Sequence, residues 1–296
     1  MNACDRNIVV SGRVVRTARI DGDGYRFIED PETILSDLRS CGRRIDLFTF
    51  IQKLPDTSRR FTYPYEWDNV AAIELNSFDH WWNELIGFKA RNKAKQAEKQ
   101  GVVIREIPFN EPLVRGIWEI YNETPIRQGR KFPHYGKSLE TVRSEASTFL
   151  DCSVFIGAFF EEKLIGFAKL TMDETATQAG LMHIIAMIQY RTKAPTNALV
   201  AQSVRACAQR NIRFLVYSSF AYGNKTHDSL SDFKERNGFR RIDLPRYYVP
   251  LSPIGQMAIS LGLHLSVHHH LPEPLIAAFR KYRAAWHCRR YGLSQQ

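Results

Sequence analysis

The sequence lacks the cysteine patterns of a disulfide framework or a structural metal site. Its 296 residues include five cysteines, which are scattered, odd in number and without a CxxC pair. His264 and the histidines at 268–270 have no cluster of carboxylates beside them, and neighbours in sequence do not easily converge on one ion. We therefore predict reduced thiols and no bound metal.

Long apolar runs are also absent. No segment approaches the roughly 18 uncharged apolar residues of a membrane-spanning helix. Asp5 and Arg6 interrupt the first residues where a signal peptide would become apolar. We expect a cytoplasmic protein, with contact to a membrane surface left open. Since 44% of the residues are hydrophobic and 12% are aromatic, the chain has enough apolar side chains for a packed core.

Positive charge is what the sequence has in excess, with a formal net charge of +10. A cationic surface raises the local concentration of phosphates, whatever molecule carries them. Nucleic acid, a phosphate-bearing cofactor, a nucleotide-linked substrate and an anionic membrane all fit this charge. Charge alone does not choose among them.

The first third of the chain alternates signals for strands and helices. Residues 25–30 and 45–52 have the pattern of strands, and 31–42 between them has that of a helix with proline at its start and glycine at its end. A short strand is predicted at 70–75. One long, basic, amphipathic helix is predicted at 77–101.

The rest of the chain predicts a hairpin, a crossover and a terminal helix. Apolar strands at 153–162 and 163–173 are joined by a charged turn. The order strand, loop, helix, strand over 181–220 describes a βαβ crossover, which requires parallel strands. A short helix at 228–237 and a last strand follow. From residue 252 the chain becomes helical and ends in a basic amphipathic helix.

Three segments of the sequence resemble the FemAB branch of the GNAT acyltransferases. The strongest match contains FKERNGF, which is similar to the family's Phe-Lys-x-x-x-Gly-Phe close before the last strand. The elements of the chain also come in the order expected for that fold. The segments are FKARNKAKQAEKQGVVIRE at 88–106, IWEIYNETPIRQGRKFPHYG at 117–136 and DSLSDFKERNGF at 228–239.

This resemblance implies a mixed α/β fold of GNAT type. A reduced N-terminal GNAT-like half is expected at 1–100, an acyltransferase domain at 101–251 and a C-terminal helical extension at 252–296. Together with the βαβ spacing, it predicts that the strands at 181–190 and 212–220 are adjacent. They should diverge at their carboxyl ends.

The pair Phe233 and Lys234 lies in the strongest of these matches. The FemAB resemblance assigns the pair to the active site, where an ammonium stabilises the oxyanion of a tetrahedral acyl-transfer intermediate. The alternative is a surface lysine that extends along an apolar helix edge.

His183, Tyr217 and Tyr222 are further candidates for proton transfer. His183 lies on the strand that GNAT folds splay from its neighbour, and a pKa near the working pH would let it accept the proton of an attacking amine. Tyr217 and Tyr222 follow the next strand and are candidate proton donors to a leaving group. Core packing is the alternative for all three.

The loop after the first crossover strand bears on the acyl donor. Acetyl-CoA-dependent GNAT enzymes carry Arg/Gln-x-x-Gly-x-Gly/Ala there, and its backbone N–H groups wrap a pyrophosphate. Here Thr192 and Ala194 replace the glycines, and Pro195 lacks an N–H. FemAB proteins take an aminoacyl group from a charged tRNA and do not need this cradle. The alternative is an ordinary connection with solvated cations. Candidate donor-binding side chains are Arg191, Thr192, Lys193 and Asn197.

A basic, aromatic loop near residue 130 is the candidate acceptor site. Its cations could bind an acidic or phosphorylated acceptor. The alternative is a solvated, mobile loop. The residues are Arg127, Arg130, Lys131, His134 and Tyr135.

Two classes of function follow from these observations. The first is an acyltransferase that moves an acyl or aminoacyl group from acyl-CoA or aminoacyl-tRNA to an amine acceptor. The second is a non-catalytic GNAT-shaped module that binds nucleic acid or an anionic membrane surface. The lysine motif favours the enzyme, whereas the missing glycines and the lack of an obvious carboxylate base keep the second class open. tRNA would contact the basic helix at 89–99 and the terminal helix around 280–290, and peripheral membrane contact would also use the terminal basic helix.

Overall fold

The computed structural model describes residues 2–3, 6–127, 130–222 and 228–265. The first part of the chain begins with six elements. In chain order they are β1 (Asn2–Ala3), β2 (Arg6–Ser11), β3 (Thr17–Ile20), α1 (Pro31–Ser40), β4 (Leu47–Ile51) and β5 (Tyr65–Glu74). The helix and the strand that follows it were both predicted. β5 begins earlier than the short strand expected at 70–75.

The strand predicted at 25–30 is wrong. Gly22 and Gly24 have positive φ, and the backbone N–H of Tyr25 donates to Gly22 O over 2.7 Å, so the chain turns sharply here. The side chain of Asp30 then caps the N-terminus of α1. The aromatic side chains of this segment cover the sheet instead of extending it.

The single helix predicted for 77–101 is also wrong, because three elements replace it. They are α2 (Phe78–His80), a π-helical turn (Trp81–Leu85) and α3 (Phe88–Lys99). The chain is extended at Ile86, and Gly87 N donates to Arg236 O over 2.8 Å. A Cβ on Gly87 would lie 3.1 Å from the same oxygen. The helix therefore breaks where two backbones come into contact.

The second part of the chain begins after α3. The predicted hairpin, crossover, short helix and last strand are confirmed, but the first crossover strand ends at Ala186 instead of at 190, and the second covers only Phe214–Val216. The elements are β6 (Val103–Ile107), α4 (Glu111–Asn122), β7 (Ile126–Arg127), β8 (Arg130–Lys131), α5 (Leu139–Ala146), β9 (Ser153–Phe160), β10 (Lys163–Met172), β11 (Gln178–Ala186), a 3-10 helix (Ile188–Lys193), α6 (Pro195–Gln209), β12 (Phe214–Val216), α7 (Ser229–Arg236), β13 (Arg240–Pro250) and α8 (Pro253–Ser260); a short 3-10 turn (Leu150–Cys152) precedes β9.

Eleven of these strands form one mixed sheet in the order β1-β2-β3-β4-β13-β5-β12-β11-β10-β9-β6. β13 lies between β4 and β5 and is antiparallel to both. β5 pairs antiparallel with β12, which joins the first part of the chain to the second. The domain boundaries at 100 and 251 stay a prediction, since one sheet runs across the first of them.

Helices cover both faces of the sheet. On β10, Phe167 belongs to the core under α4 and α5, whereas Ala168 belongs to the core under α3 and α6. Alternating residues of a strand point to opposite faces, so this one strand contributes to two cores. α1 covers the far end of the sheet with Ile34, Leu35 and Leu38. The mixed α/β fold is therefore confirmed.

α8 follows β13 and packs against the first part of the chain. A Cβ on Gly255 would lie 1.8 Å from Asp46 O, so this helix requires glycine at its closest approach. The predicted basic helix at the end of the chain and the histidines at 268–270 lie outside the described residues. Among the described helices, none is long and apolar enough to cross a membrane.

Candidate active site

The candidate site begins where β11 and β12 separate. The two strands are parallel and pair only from Gln178 to Gly180. Beyond this point the chain after β12 stays with β5, because Tyr217 N donates to Ala71 O over 2.7 Å. β11 continues along β10 to Ala186. The predicted divergence of these strands is confirmed.

Two features shape the opening between the strands. The pairing of β10 with β11 shifts register, so that Met182 has no paired residue on β10 and forms a bulge. Tyr25, from the loop before α1, packs over Gly180 so closely that a Cβ there would lie 2.1 Å from its ring. Burial raises the pKa of Tyr25 to about 12, with a further contribution from Tyr222. An aromatic side chain of the first part thus covers the opening in the second.

Lys234 lies at this opening, on α7. Its side chain is fully buried, and Nζ donates to the carbonyl oxygen of Ser219. Nζ also lies 4.6 Å from the ring centroid of Tyr217 and 4.8 Å from that of Tyr222. The structure therefore brings together three of the predicted catalytic residues. The solvated surface lysine considered as the alternative is not what the fold contains.

Burial determines the electrostatics of this cluster. It lowers the pKa of Lys234 to about 8, with the charge of Asp228 opposing the shift. It raises the pKa of Tyr217, and Tyr222 and Tyr25 add to that effect. At neutral pH the site thus contains a protonated ammonium and a neutral phenol. Phe233, the motif partner, packs into the core under α6.

His183 lies with a different set of residues. Its ring centroid is 6.0 Å from that of His134 and 6.2 Å from that of Phe167, on the face covered by α4 and α5. Burial lowers the pKa of His183 to about 4, and the charges of His134 and Lys169 add to the shift. The expectation of a pKa near the working pH is therefore wrong. Within the described residues His183 contacts neither Lys234 nor the two tyrosines, and its role as a base stays a prediction.

The loop before α6 is already occupied by protein groups. Glu123 accepts hydrogen bonds from the backbone N–H groups of Ile188 and Gln189, over 2.7 and 2.9 Å. Ala194 has a left-handed φ of 54° and Pro195, at the first helical position, is buried. The first backbone donors of this loop are thus used by a carboxylate.

The four predicted donor-binding side chains do not converge on one point. Lys193 Nζ lies 3.7 Å from the ring centroid of Phe160, and the Asn197 amide donates to Asn237 over 3.3 Å. The carbonyl of Thr192 accepts from Gln96. Arg191 is exposed. A pyrophosphate would therefore be bound here mainly by side chains, those of exposed Arg191 and half-buried Lys193.

The residues of the candidate acceptor loop also fall into two groups, those that contact other protein groups and those that are exposed. Arg127 donates to Ala186 O over 2.8 Å, to Ile120 O over 3.0 Å and to Glu123 over 3.1 Å, so most of its guanidinium is used within the protein. His134 stacks on Tyr121, with ring centroids 4.2 Å apart. The other three residues, Arg130, Lys131 and Tyr135, are exposed. Their role in binding an acceptor stays a prediction.

The chain is similar to known proteins in its structure. No protein-family model matches the chain, and no curated protein sequence matches it. A structure assigned to the C-terminal domain (DUF2156) of a lysylphosphatidylglycerol synthetase from Agrobacterium fabrum superimposes with a TM-score of 0.55 at 12% identity, over 86% of this chain and 84% of that one. The L-PGS from Bacillus licheniformis gives 0.54 at 13% identity, over 83% and 82%.

The chain shares the fold of these two structures. FemX itself superimposes more loosely, with a TM-score of 0.46 at 9% identity, over 74% of this chain and 69% of that one. The predicted mixed α/β fold class is confirmed, and the predicted family resemblance extends to the fold alone. At these identities the similarity establishes the fold and not the substrate.

Several residues of the site were not predicted from the sequence. Tyr25 was assigned to a strand, Glu123 lies in a matched segment but was given no role, and Gln178 lies outside every motif. The sequence does not single out Arg246 either, since the last strand contains several charged residues. Its ion pairs with Asp23 and Asp68 explain its place there. No group of three or more potential metal ligands occurs in the part of the chain that the structure describes, and the absence of a metal stays a prediction.

Proposed function

We propose that this protein transfers an acyl or aminoacyl group from an activated donor to an amine acceptor, with Lys234 at the reacting carbonyl. The observation that carries the proposal is the position of the Lys234 ammonium. It is buried at the point where β11 and β12 separate and has one carbonyl partner and two aromatic faces. A buried ammonium with so few fixed partners can donate to an oxyanion that forms beside it.

The chemistry of transfer assigns a task to each group of the cluster. The amine nitrogen forms a bond to the donor carbonyl carbon, and negative charge develops on the carbonyl oxygen, which the Lys234 ammonium stabilises. The C–O or C–S bond to the donor then breaks, the nitrogen loses a proton and the leaving group gains one. Tyr217 and Tyr222 lie beside Nζ, where a phenol can supply that proton.

The loop before α6 favours an aminoacyl-tRNA donor over acyl-CoA. Glu123 occupies the N–H groups of Ile188 and Gln189, and Pro195 has none. By contrast, α3 buries small side chains and presents an exposed row of lysines, which suits a polyphosphate backbone. These lysines are Lys89, Lys93, Lys95 and Lys99.

The solved structures with the same fold bear on the acceptor. The name of the structure from Agrobacterium fabrum describes a synthetase of lysylphosphatidylglycerol, an aminoacylated lipid. A lipid acceptor at a membrane surface is therefore a second acceptor class beside soluble amines. It agrees with the net charge of +10, and the cytoplasmic location expected from the sequence agrees with a charged tRNA as donor.

A transfer assay with two donors tests the proposal. Bulk tRNA charged with radiolabelled amino acids and radiolabelled acetyl-CoA would be offered separately, each with a mixture of amines or with phosphatidylglycerol vesicles. We expect a labelled product from charged tRNA, and loss of product in Lys234→Met. Lys169→Met is the matched control, since Lys169 is an equally buried lysine whose ammonium pairs with the carbonyls of Ala146 and Thr148. Binding of tRNA without any product would favour the non-catalytic module.

A further inference from the structure

A polar cavity lies beside the opening between β11 and β12. It has a volume of about 100 Å³ and lies between the loop before α1 and strands β5, β11 and β13. The polar residues of its wall come from both parts of the chain, and those that matter here are Asp23, Tyr25, Asp68, Gln178, Ser219 and Arg246. A space of this size admits a group of a few heavy atoms and excludes a nucleotide.

Gln178 is the residue that indicates a ligand. Its side chain is only 4% exposed, and its Oε1 has no hydrogen-bond partner in the described part of the chain. Its backbone is fixed, because its N–H donates to Asp173 Oδ1 over 2.8 Å and its carbonyl accepts from Asp173 N over 2.9 Å. A buried acceptor without a partner destabilises a fold, so a group that enters the cavity with an N–H or O–H would satisfy it.

The charges of the wall favour a cation. Arg246 Nη1 lies 2.7 Å from Asp23 Oδ2, and Arg246 Nε lies 2.9 Å from Asp68 Oδ2. Burial opposes the charge of this guanidinium, but the two carboxylates raise its pKa above the ordinary value. One cation and two anions leave the wall with a net negative charge, in a protein whose net charge is +10. A carboxylate or phosphate is therefore disfavoured in this cavity.

The cavity is connected to the candidate active site through two of its wall residues. Ser219 contributes to the wall, and its carbonyl accepts the hydrogen bond from Lys234. Tyr25 contributes to the wall and packs over Gly180 at the separation of the strands. The cavity and the candidate active site thus share Ser219 and border on the same separation of strands.

We propose that this cavity binds the primary ammonium group of a transferase substrate, with Gln178 Oε1 and Asp23 as acceptors. The inference rests on the proposed function and names the chemistry of one substrate group. Two substrates carry such a group, namely an aminoacyl donor with its α-ammonium and an amine acceptor before it loses its proton. The cavity is too small for a polymer or a lipid headgroup, so only the amine end of either substrate would enter.

Direct binding tests this inference without any transfer reaction. Glycinamide hydrochloride is the probe, titrated into the full chain and followed by calorimetry or by protein NMR. We expect binding in the wild type and at least a tenfold weaker affinity in Gln178→Met. We also expect the melting temperature of that variant to rise by roughly 2–4 °C, because the unpaired acceptor is gone. Gln209→Met, which replaces an exposed glutamine on α6, should change neither value.

Each outcome of the binding experiment supports or overturns the inference. Equal affinity in Gln178→Met, or no binding in the wild type, would show that the cavity contains ordered water only. Should Gln178→Met fail to fold, Asp23→Asn carries the same test, with weaker glycinamide binding expected. If glycinamide binds as expected but no donor gives a product, the ammonium site stands and the transferase proposal fails.

A transfer assay with a blocked donor separates the two sources of the ammonium. N-acetylated aminoacyl-tRNA has no α-ammonium but is otherwise the same donor. If the donor amine enters the cavity, acetylation should reduce transfer at least tenfold, and Gln178→Met should no longer make a difference. If the acceptor amine enters, the acetylated donor should react normally and Gln178→Met should raise the acceptor KM. Normal transfer by Gln178→Met with both donors would overturn the inference.

Discussion

Two buried lysines of this protein have the same burial and different surroundings. Lys169 on β10 and Lys234 on α7 are both fully buried, and burial lowers the pKa of each to about 8. Lys169 donates to Ala146 O over 2.9 Å, to the carbonyl of Thr148, and to the Thr148 hydroxyl over 3.3 Å. Lys234 has a single carbonyl partner and two tyrosine rings.

The two lysines differ in the groups to which their ammonium donates hydrogen bonds. Lys169 pairs with carbonyls at the C-terminal end of α5, where a cation is favourable and the carbonyls would otherwise be unsatisfied. Its donors are therefore used by the fold. Lys234 lies at an opening in the sheet, where its remaining donors face aromatic surface. A depressed lysine pKa is thus common to both sites, and only the set of partners distinguishes a structural lysine from a candidate catalytic one.

The largest expected effect is the loss of transfer activity when Lys234, and not Lys169, is substituted. In Lys234→Met the aliphatic stem is retained and the ammonium is lost, so we expect transfer to slow by roughly 100-fold or more. The melting temperature should be unchanged or slightly higher, since a desolvated charge is removed. Transfer would be measured with the donor that the wild type uses. Activity close to that of the wild type would show that the two lysines do not differ in function.

The same substitution at Lys169 should affect stability instead of activity. In Lys169→Met the carbonyls of Ala146 and Thr148 lose their donor, and we expect the melting temperature to fall by about 5 °C, with transfer changed less than threefold. Calorimetry and the transfer assay on the same sample measure both values. A stable variant without activity would exchange the roles assigned to the two residues.

The pH dependence of stability tests what the two lysines share. Each has a pKa of about 8 in the folded state and about 10.4 in the unfolded chain. The unfolded chain therefore binds more protons between these values, and the free energy of unfolding should rise with pH from about 8 to 10. The slope should decrease in either Lys→Met variant, as followed by urea denaturation at a series of pH values. An unchanged slope in one variant would mean that its lysine titrates normally.

The smallest expected effect concerns a cation outside the protein interior. Arg191 is exposed near the N-terminus of α6. Any contact of its side chain with acyl-CoA would be screened by salt, and such contacts are worth about 0.2–1 kcal/mol. We expect weak acyl-CoA binding that falls with added salt, and a further loss of about twofold to fivefold in Arg191→Ala, by calorimetry. Tight, salt-insensitive binding would favour acyl-CoA as the donor.

Local patterns were sufficient for much of the fold. The apolar alternation of β9 and β10, the crossover from β11 to β12 and the helix that carries Lys234 each follow from a short stretch of sequence. The splay between the strands followed from the family resemblance. In these cases the residues that determine the structure are neighbours in the chain.

The remaining features depend on partners distant in sequence. The break at Gly87 exists because its N–H meets Arg236 O, and the turn at Tyr25 brings an aromatic ring over Gly180. Glu123 caps a loop that begins at Ile188. Hydrophobic periodicity contains no information about such contacts. The same holds for the partners of the two lysines, which only the folded chain brings together.

The place of β13 in the sheet has a consequence for how the chain is assembled. Residues 240–250 pair with residues 47–51 on one side and 65–74 on the other. During synthesis β4 and β5 therefore leave the ribosome without the strand that lies between them, and they remain so until the residues between 74 and 240 have been added. Contacts so distant in sequence slow folding and leave strand edges exposed in the meantime. A truncated chain that ends before residue 240 should aggregate, because its N-terminal strands would have no strand to join them.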